Sequence, residues 1–228
     1  MTTKNALNIF IKTPVPYQVK TRFQPQLTGE ESAKLYSAFL QDLDHKFAGQ
    51  TGFQCCYAIS PEYYDQEILK KIVNLTHFFM QQGDDFGKRK EHAFETSFSK
   101  GFGKVVLISS DVPAITTNNI LESFKALNDH DCVIGPSEDG GYYLIALKST
   151  MPFLFQDIPW NTSDVYGKTI DILRDKNMTY KILPPYQDVD TIKQLLSFYR
   201  YLQIADKKSA DFPSNSWRIL RDILSERI

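Results

Sequence analysis

Three cations gather in one short segment near the start of the chain. Lys12, Lys20 and Arg22 lie within Lys12-Thr-Pro-Val-Pro-Tyr-Gln-Val-Lys-Thr-Arg22, where prolines stiffen the backbone. Flexible ammonium groups and a forked guanidinium together suit a diphosphate. A solvated basic loop explains this segment equally well. The segment is not a P-loop, because it does not follow the pattern GxxxxGK(S/T).

A single carboxylate follows the most apolar run of the chain. Asp111 stands in Ser109-Ser-Asp-Val-Pro113, directly after Lys104–Ile108. A carboxylate at a strand end can hold Mg²⁺ while substrate phosphates complete the coordination shell. The alternative is that Asp111 begins a turn and caps the next helix. From this motif alone the alternative is slightly favoured.

Carboxylates and glycines crowd one turn in Gly135-Pro-Ser-Glu-Asp-Gly-Gly-Tyr-Tyr143. Glu138 and Asp139 could act as a general base or hold an acceptor hydroxyl. Gly140 and Gly141 permit positive φ and a close approach of ligand to backbone N–H groups. A hairpin turn is the alternative, since Asp-Gly and Gly-Gly are common hairpin signals. The functional interpretation is slightly favoured here.

A second acidic pair occurs late in the chain, after Pro184 and Pro185. In an extended segment, alternation puts Asp188 and Asp190 on the same side. Asp190 or the following Thr191 could equally cap the next helix.

Strand and helix patterns alternate along the whole chain and are the elements that must position these motifs. The predicted strands are Ala6–Ile11, Phe53–Ile59, His77–Met80, Lys104–Ile108, Cys132–Ile134, Tyr142–Leu147 and Tyr180–Leu183. The predicted helices are Glu30–Phe47, Pro61–Val73, a segment ending near Phe98, Asn118–Leu127, Ser163–Asp175, Thr191–Ile204 and Asn215–Glu226.

This alternation predicts one α/β domain over residues 1–228, with a mainly parallel sheet covered on both faces. In open α/β sheets, ligands bind beyond the carboxyl ends of the strands. The chemistry is therefore expected just after Ile11, Ile108, Ile134 and Leu183.

Composition excludes several classes of partner. The 228 residues are 42% hydrophobic and carry a formal net charge of −1, so nucleic acid and anionic membrane are poor default partners. The three cysteines have no CxxC spacing, which argues against a zinc site or a disulfide framework. No stretch predicts a signal peptide or a membrane span, and the expected location is cytoplasmic.

Taken together, six segments in order resemble a bacterial glycosyltransferase-A-like family, the nucleotide-diphospho-sugar or selenodomain-associated transferases. They are Phe10–Pro16 with Val19–Arg22, Gln82–Arg89, Val106–Pro113, Gly135–Leu144, Ile158–Asn161 and Leu183–Thr191. The family is similar to cofactor guanylyltransferases, which share the Lys-Thr/Ser-Arg loop and an aspartate at the position of Asp111. Lys12 and Tyr17 depart from the usual nucleotide loop of the family.

The resemblance implies a three-layer glycosyltransferase-A-like fold with a mixed, mainly parallel sheet. It also implies that Asp111 and Asp190 hold Mg²⁺ or Mn²⁺ against the diphosphate of a nucleotide or nucleotide sugar. Phosphate oxygens would lie against Lys20 and Arg22. The remaining substrate-binding residues are expected to be Lys12, Gly140, Gly141, Tyr142 and Trp160.

Three functions fit this interpretation. The first is glycosyl transfer from a nucleoside-diphosphate sugar to an unknown small-molecule acceptor, with Glu138 or Asp139 acting on the acceptor. The second is nucleotidyl transfer, which releases pyrophosphate from a nucleoside triphosphate. The third is nucleotide binding without catalysis, because a fold alone does not select a reaction.

Overall fold

A seven-stranded sheet forms the centre of the molecule in a computed structural model that describes residues 4–225. Its spatial order is β3-β2-β1-β4-β6-β5-β7. The strands are β1 Asn5–Ile11, β2 Gln54–Ile59, β3 Phe78–Met80, β4 Lys104–Ser109, β5 Cys132–Pro136, β6 Tyr142–Leu147 and β7 Tyr180–Ile182.

Helices cover both faces of the sheet. They are α1 Gly29–Phe47, α2 Gln66–Lys70, α3 Phe86–Ser99, α4 Thr117–Ala126, α5 Val165–Asp175, α6 Ile192–Ile204 and α7 Ser214–Ser225. Short 3-10 turns occupy Thr21–Phe23 and Pro152–Phe155. No helix in the described range 4–225 is long and apolar enough to cross a bilayer.

The strand directions confirm the mixed, mainly parallel sheet. Parallel pairing joins β1 to β2 and β4, β2 to β3, and β5 to β7, whereas β6 runs antiparallel to both β4 and β5. Because β6 alone is reversed, the carboxyl ends of the other six strands share one edge of the sheet. Polar side chains that follow β1, β4, β5 and β7 can therefore converge there.

Two buried apolar clusters, one on each face of the sheet, produce the three layers. Alternate residues of β4 illustrate the division, with Val106 and Ile108 in the larger cluster and Val105 and Leu107 in the smaller one. The five inner strands thus bury both of their faces, which explains why they appear in the sequence as mostly apolar runs, whereas the edge strands β3 and β7 are partly exposed.

The predicted helix Pro61–Val73 is wrong in its length. Tyr63 has a left-handed φ of 56°, which a helix does not tolerate, and Asp65 caps a helix of only five residues, Gln66–Lys70. The Asp65 carboxylate accepts hydrogen bonds from the backbone N–H groups of Glu67 and Ile68. This cap sets the start of the helix at Gln66, and the residues before it are irregular. Of the last predicted helix, Glu226 lies outside the described residues.

A buried carboxylate fastens α7 to α1. Asp42 accepts hydrogen bonds from the backbone N–H groups of Asn215 and Ser216, at 2.9 and 2.8 Å. The Asn215 Nδ2 and Ser216 Oγ groups donate to the same carboxylate. A negative charge at a helix N-terminus satisfies donors that the helix itself leaves free.

Replacing Asp42 with Ala is expected to lower the free energy of unfolding by about 2–4 kcal/mol, because charge-assisted hydrogen bonds are lost and buried donors are left unpaired. Asp42→Asn keeps one acceptor oxygen and should lose less. Urea denaturation of both variants measures the difference. An Ala variant as stable as the wild type would contradict the role of Asp42 in holding α7.

Candidate functional site

The loops that carry the predicted motifs meet at the carboxyl ends of β1 and β4. These two strands are paired in parallel, with Phe10 opposite Ser109. The cationic segment leaves β1 after Ile11, and Asp111 stands two residues beyond the end of β4. The predicted position of Asp111, just beyond a central strand and facing a crevice, is confirmed.

Lys20 lies between two carboxylates at this edge. Its Nζ is 2.6 Å from Asp111 Oδ1 and 2.7 Å from Asp190 Oδ1, and it also donates to the Val189 carbonyl at 2.7 Å. Lys20 has a left-handed backbone, with φ 49° and ψ 38°, which is uncommon for a residue with a side chain. The backbone is thus locally strained at Lys20, in the conformation that places its ammonium between the carboxylates.

Backbone hydrogen bonds bring Asp190 to Asp111, although 79 positions (190 − 111) separate the two residues in the sequence. The N–H of Val189 donates to the carbonyl of Asp111 at 2.8 Å. Gln194 then accepts from the N–H groups of Asp190 and Thr191, which fixes the entry into α6. Thr191 is therefore the helix cap, and Asp190 is left facing Lys20.

Electrostatic effects at the carboxylates follow from this geometry. Burial alone lowers the pKa of Lys20, but the Asp111 and Asp190 charges more than offset it, so its pKa lies above the ordinary value. Burial likewise opposes ionisation of Asp190, and the Lys20 charge overcomes it and lowers the Asp190 pKa. Lys20 is thus an ammonium and Asp190 a carboxylate near neutral pH.

Asp188 behaves in the opposite way. Burial, followed by the charges of Asp111, Asp139 and Asp190, raises its pKa to about 8. Its Oδ1 is buried and has no hydrogen-bond partner among residues 4–225. Asp188 therefore carries a proton at neutral pH, and it spares the site a further negative charge.

Two cavities, with volumes of about 430 and 410 Å³, open on either side of the carboxylates. Their sizes suit small molecules. The first cavity is rich in cations, with Lys12, Lys20, Arg22 and Arg89 in its wall. The second cavity is lined by aromatic and acidic side chains of β6, α3 and the segments around 160 and 188. The two cavities share Phe10, Arg22, Phe86, Ser109, Asp111, Asn161 and Asp190.

The predicted turn 135–143 is both a hairpin and part of the site. It connects β5 to β6, and Asp139 lines the second cavity while its Oδ1 accepts the N–H of Gly141 at 3.0 Å. Glu138 is exposed and accepts a hydrogen bond from Gln187 Nε2 at 2.7 Å. Of the two carboxylates, the structure brings only Asp139 to either described cavity.

The other predicted binding residues divide in the same way. Gly141, Tyr142 and Trp160 line the second cavity, and Lys12 lines the first. Gly140 lines neither of the two. It has a φ of 90°, and a Cβ there would lie 2.1 Å from the Ser163 carbonyl oxygen, so only glycine fits against that backbone.

The pair Asp111 and Asp190 has the chemistry of a divalent cation site. Both carboxylates already converge on one positive charge, and two carboxylates with phosphate and water ligands satisfy Mg²⁺. Between residues 4 and 225, no three His, Cys, Asp or Glu side chains cluster as a metal site. Two carboxylates could hold such a cation only with further ligands from outside this pair.

Lys90, Phe86, Arg89 and Asp188 also line the cavities, and sequence reasoning did not assign them. Three of them lie in or beside the segment Gln82–Arg89, which carried the family resemblance without any residue being given a role. Lys90 had no signal of its own, because its pattern is that of any lysine in an amphipathic helix. The acidic spacing pairs Asp188 with Asp190 in the sequence, but it gives Asp188 no role of its own.

The mixed, mainly parallel seven-stranded sheet matches the fold of solved structures in the nucleotide-diphospho-sugar transferase class. Residues 43–162 match the model of the family described as "Uncharacterized protein conserved in bacteria (DUF2064)". The chain belongs to this family. A solved structure from Desulfovibrio desulfuricans G20, provisionally described as a nucleotide-diphospho-sugar transferase, is 31% identical, with a TM-score of 0.89 over 98% of this chain and 96% of that one.

Two further relatives extend the comparison. The 2-phospho-L-lactate guanylyltransferase of Methanocaldococcus infernus is 29% identical over 141 residues, which are 62% of this chain and 61% of the relative. The chain thus spans about three fifths of that relative's length. The 4-diphosphocytidyl-2C-methyl-D-erythritol synthase of Anaerococcus prevotii covers 88% of this chain and 96% of its own, at 11% identity and a TM-score of 0.59, and shares the fold.

Replacing Lys20 with Met is expected to strengthen Mn²⁺ binding by the nucleotide-free protein at least tenfold. The substitution leaves Asp111 and Asp190 facing each other without the ammonium that now neutralises them. Electron paramagnetic resonance of free Mn²⁺ measures the affinity. Arg22→Met is the matched control, because its guanidinium is exposed and 3.9 Å from Asp190. Equal Mn²⁺ affinity in wild type and Lys20→Met would mean that the carboxylates are not a cation site.

Proposed function

We propose that this protein is a nucleotidyltransferase that binds a nucleoside triphosphate in the first cavity and an acceptor in the second. The observation that carries the proposal is that both cavities open onto Asp111 and Asp190. Two substrates would thus meet at one pair of carboxylates. The similarity to a guanylyltransferase over 62% of the chain supports the same class of reaction.

In the proposed reaction, an acceptor oxygen attacks the α-phosphorus of the triphosphate. The new bond joins that oxygen to phosphorus. The bond from the α-phosphorus to the bridging oxygen of the β-phosphate breaks, and pyrophosphate leaves with the electron pair. Catalysis of such a transfer consists mainly of positioning and of stabilising charge on the phosphates.

The chain supplies cations for both tasks. Lys12, Arg22 and Arg89 line the first cavity, where triphosphate oxygens would lie. Asp111 and Asp190 would hold Mg²⁺ or Mn²⁺, which when bound supplies positive charge against the phosphates. Lys20 would then exchange a carboxylate partner for a phosphate oxygen and remain an ammonium throughout.

Glycosyl transfer from a nucleotide sugar is the second candidate. Similarity along 98% of the chain to the Desulfovibrio structure favours it. The acceptor hydroxyl would then need a base, and Asp139 is better placed than Glu138 because Asp139 lines the second cavity. The same two cavities would hold the nucleotide and the sugar acceptor.

Incubation with Mn²⁺, a panel of nucleoside triphosphates and nucleotide sugars, and mixed small hydroxy and phosphorylated acids tests these functions. We expect pyrophosphate release. Free nucleoside diphosphate would instead identify the glycosyl transfer, and nucleotide binding without turnover would identify a binding protein. Asp111→Asn should reduce the gain in nucleotide affinity that Mn²⁺ provides. Metal-independent, equal nucleotide affinity in both proteins would remove Asp111 from the site.

Arg22→Ala is expected to weaken nucleotide binding by about 1–3 kcal/mol, the scale of one lost charge-assisted hydrogen bond. The Arg22 side chain is 73% exposed, so the substitution should leave the melting temperature unchanged. Isothermal titration calorimetry with Mn²⁺ measures the affinity. Lys34→Ala, an exposed substitution on α1, is the control for nonspecific loss of positive charge. Unchanged affinity in Arg22→Ala would exclude Arg22 from the phosphate site.

A further inference from the structure

Lys90 is a buried lysine without an anionic partner. It lies in α3, is only 5% exposed and forms part of the wall of the second cavity. No hydrogen bond or ion pair joins its side chain to any residue between 4 and 225. Buried lysines are nearly always paired, so this arrangement requires an explanation.

Aromatic rings surround the Lys90 ammonium. Its Nζ is 3.6 Å from the centroid of the Phe86 ring and 4.5 Å from a ring centroid of Trp160. Tyr142 and Phe10 stand at 5.5 and 6.0 Å. These ring faces attract a positive charge, but they cannot replace the hydrogen bonds that water gave it. Burial therefore lowers the pKa of Lys90 well below its usual value.

The chain makes room for this aromatic cage. A Cβ on Gly87 would lie 2.4 Å from the Phe155 carbonyl oxygen and 2.6 Å from Trp160 Nε1. Glycine at this position lets the indole approach the first turn of α3, next to Lys90. Four separate segments, in β1, α3, β6 and around 160, thus surround one amine.

The carboxylates of the second cavity do not neutralise Lys90. Asp111, Asp139 and Asp190 line the cavity, yet none of them forms an ion pair with Lys90. The negative charges and the unpaired cation therefore occupy different parts of one small cavity. An acceptor with one anionic end would be attracted to Lys90 and repelled by the carboxylates, which fixes its orientation.

We propose that Lys90 binds the anionic group, a carboxylate or a phosphate, of the acceptor substrate in the second cavity. This inference rests on the proposed function, in which that cavity holds the acceptor. The anion supplies the missing charge partner, and the rings of Phe86 and Trp160 pack against the apolar part of the acceptor. The substrate class is a small organic acid or phosphorylated acid with a second oxygen that reaches Asp111 and Asp190.

The test uses inorganic phosphate and glycolate as anionic probes and glycolamide as a neutral control. Nuclear magnetic resonance of protein labelled with ¹³C at lysine Cε follows the Lys90 signal during each titration. Phosphate or glycolate should shift the signal toward the charged form, because an anion favours the protonated amine. Glycolamide should leave it unchanged. The probe that binds more tightly distinguishes a phosphate from a carboxylate acceptor.

Lys90→Met keeps the length and apolar character of the side chain, and Lys88→Met on the same helix is the exposed control. We expect anion affinity to fall at least tenfold in Lys90→Met and to stay constant in Lys88→Met. Lys90→Met should also melt no lower than wild type, since a buried amine without a hydrogen-bond partner is removed. Equal anion affinity in the two variants would overturn the proposal.

Nucleotide binding is measured separately with Mn²⁺ on the wild-type protein, so the two proposals fail independently. If the wild-type protein binds phosphate through Lys90 but binds no nucleotide, the proposed function is refuted and the anion site at Lys90 stands. A wild-type Lys90 signal that responds to neither anion refutes the site, whatever the nucleotide result. This last measurement needs no variant and holds even if Lys90→Met does not fold.

Discussion

The Lys20 ammonium between Asp111 and Asp190 is the contact on which the candidate site depends. It joins a loop after β1, a loop after β4 and the entry to α6, which are remote in the sequence. Without a cation at this point the two carboxylates would repel each other. The lysine therefore fixes the positions of both carboxylates at the edge of the crevice.

The carboxylates at this edge of the sheet are balanced by cations of the site itself. The chain as a whole has a net charge of −1 and creates no broad attracting field. Four cations stand in the first cavity, and the acidic second cavity keeps Asp188 protonated through burial and neighbouring charge. Positive charge at the carboxyl edge thus comes from particular side chains and not from the chain as a whole.

The two layers of helices serve this edge in different ways. On one face, α1 and α7 form a well-bonded support, with Asp42 buried at their junction. On the other face, α3 presents Lys90 and aromatic rings to a cavity, and it leaves a cation without a charge partner. An arrangement that costs stability beside a cavity is typical of a functional site, where the ligand provides the missing interaction.

The sheet and the loops at its carboxyl edge can be predicted from the sequence. Continuous apolar runs located all seven strands, and the rule that ligands bind at carboxyl ends indicated the loops with Lys20, Asp111 and Asp139. The helix predicted over Pro61–Val73 is shorter in the structure because Tyr63 has a left-handed backbone and Asp65 caps the helix. Hydrophobic periodicity in the sequence reveals neither feature. Only the tertiary structure placed Lys20 between two aspartates, left Glu138 outside the cavities and enclosed Lys90 in aromatic rings. Those outcomes depend on long-range packing and on burial, because these decide which charges lie next to a side chain. The spacing of residues along the chain does not reveal either.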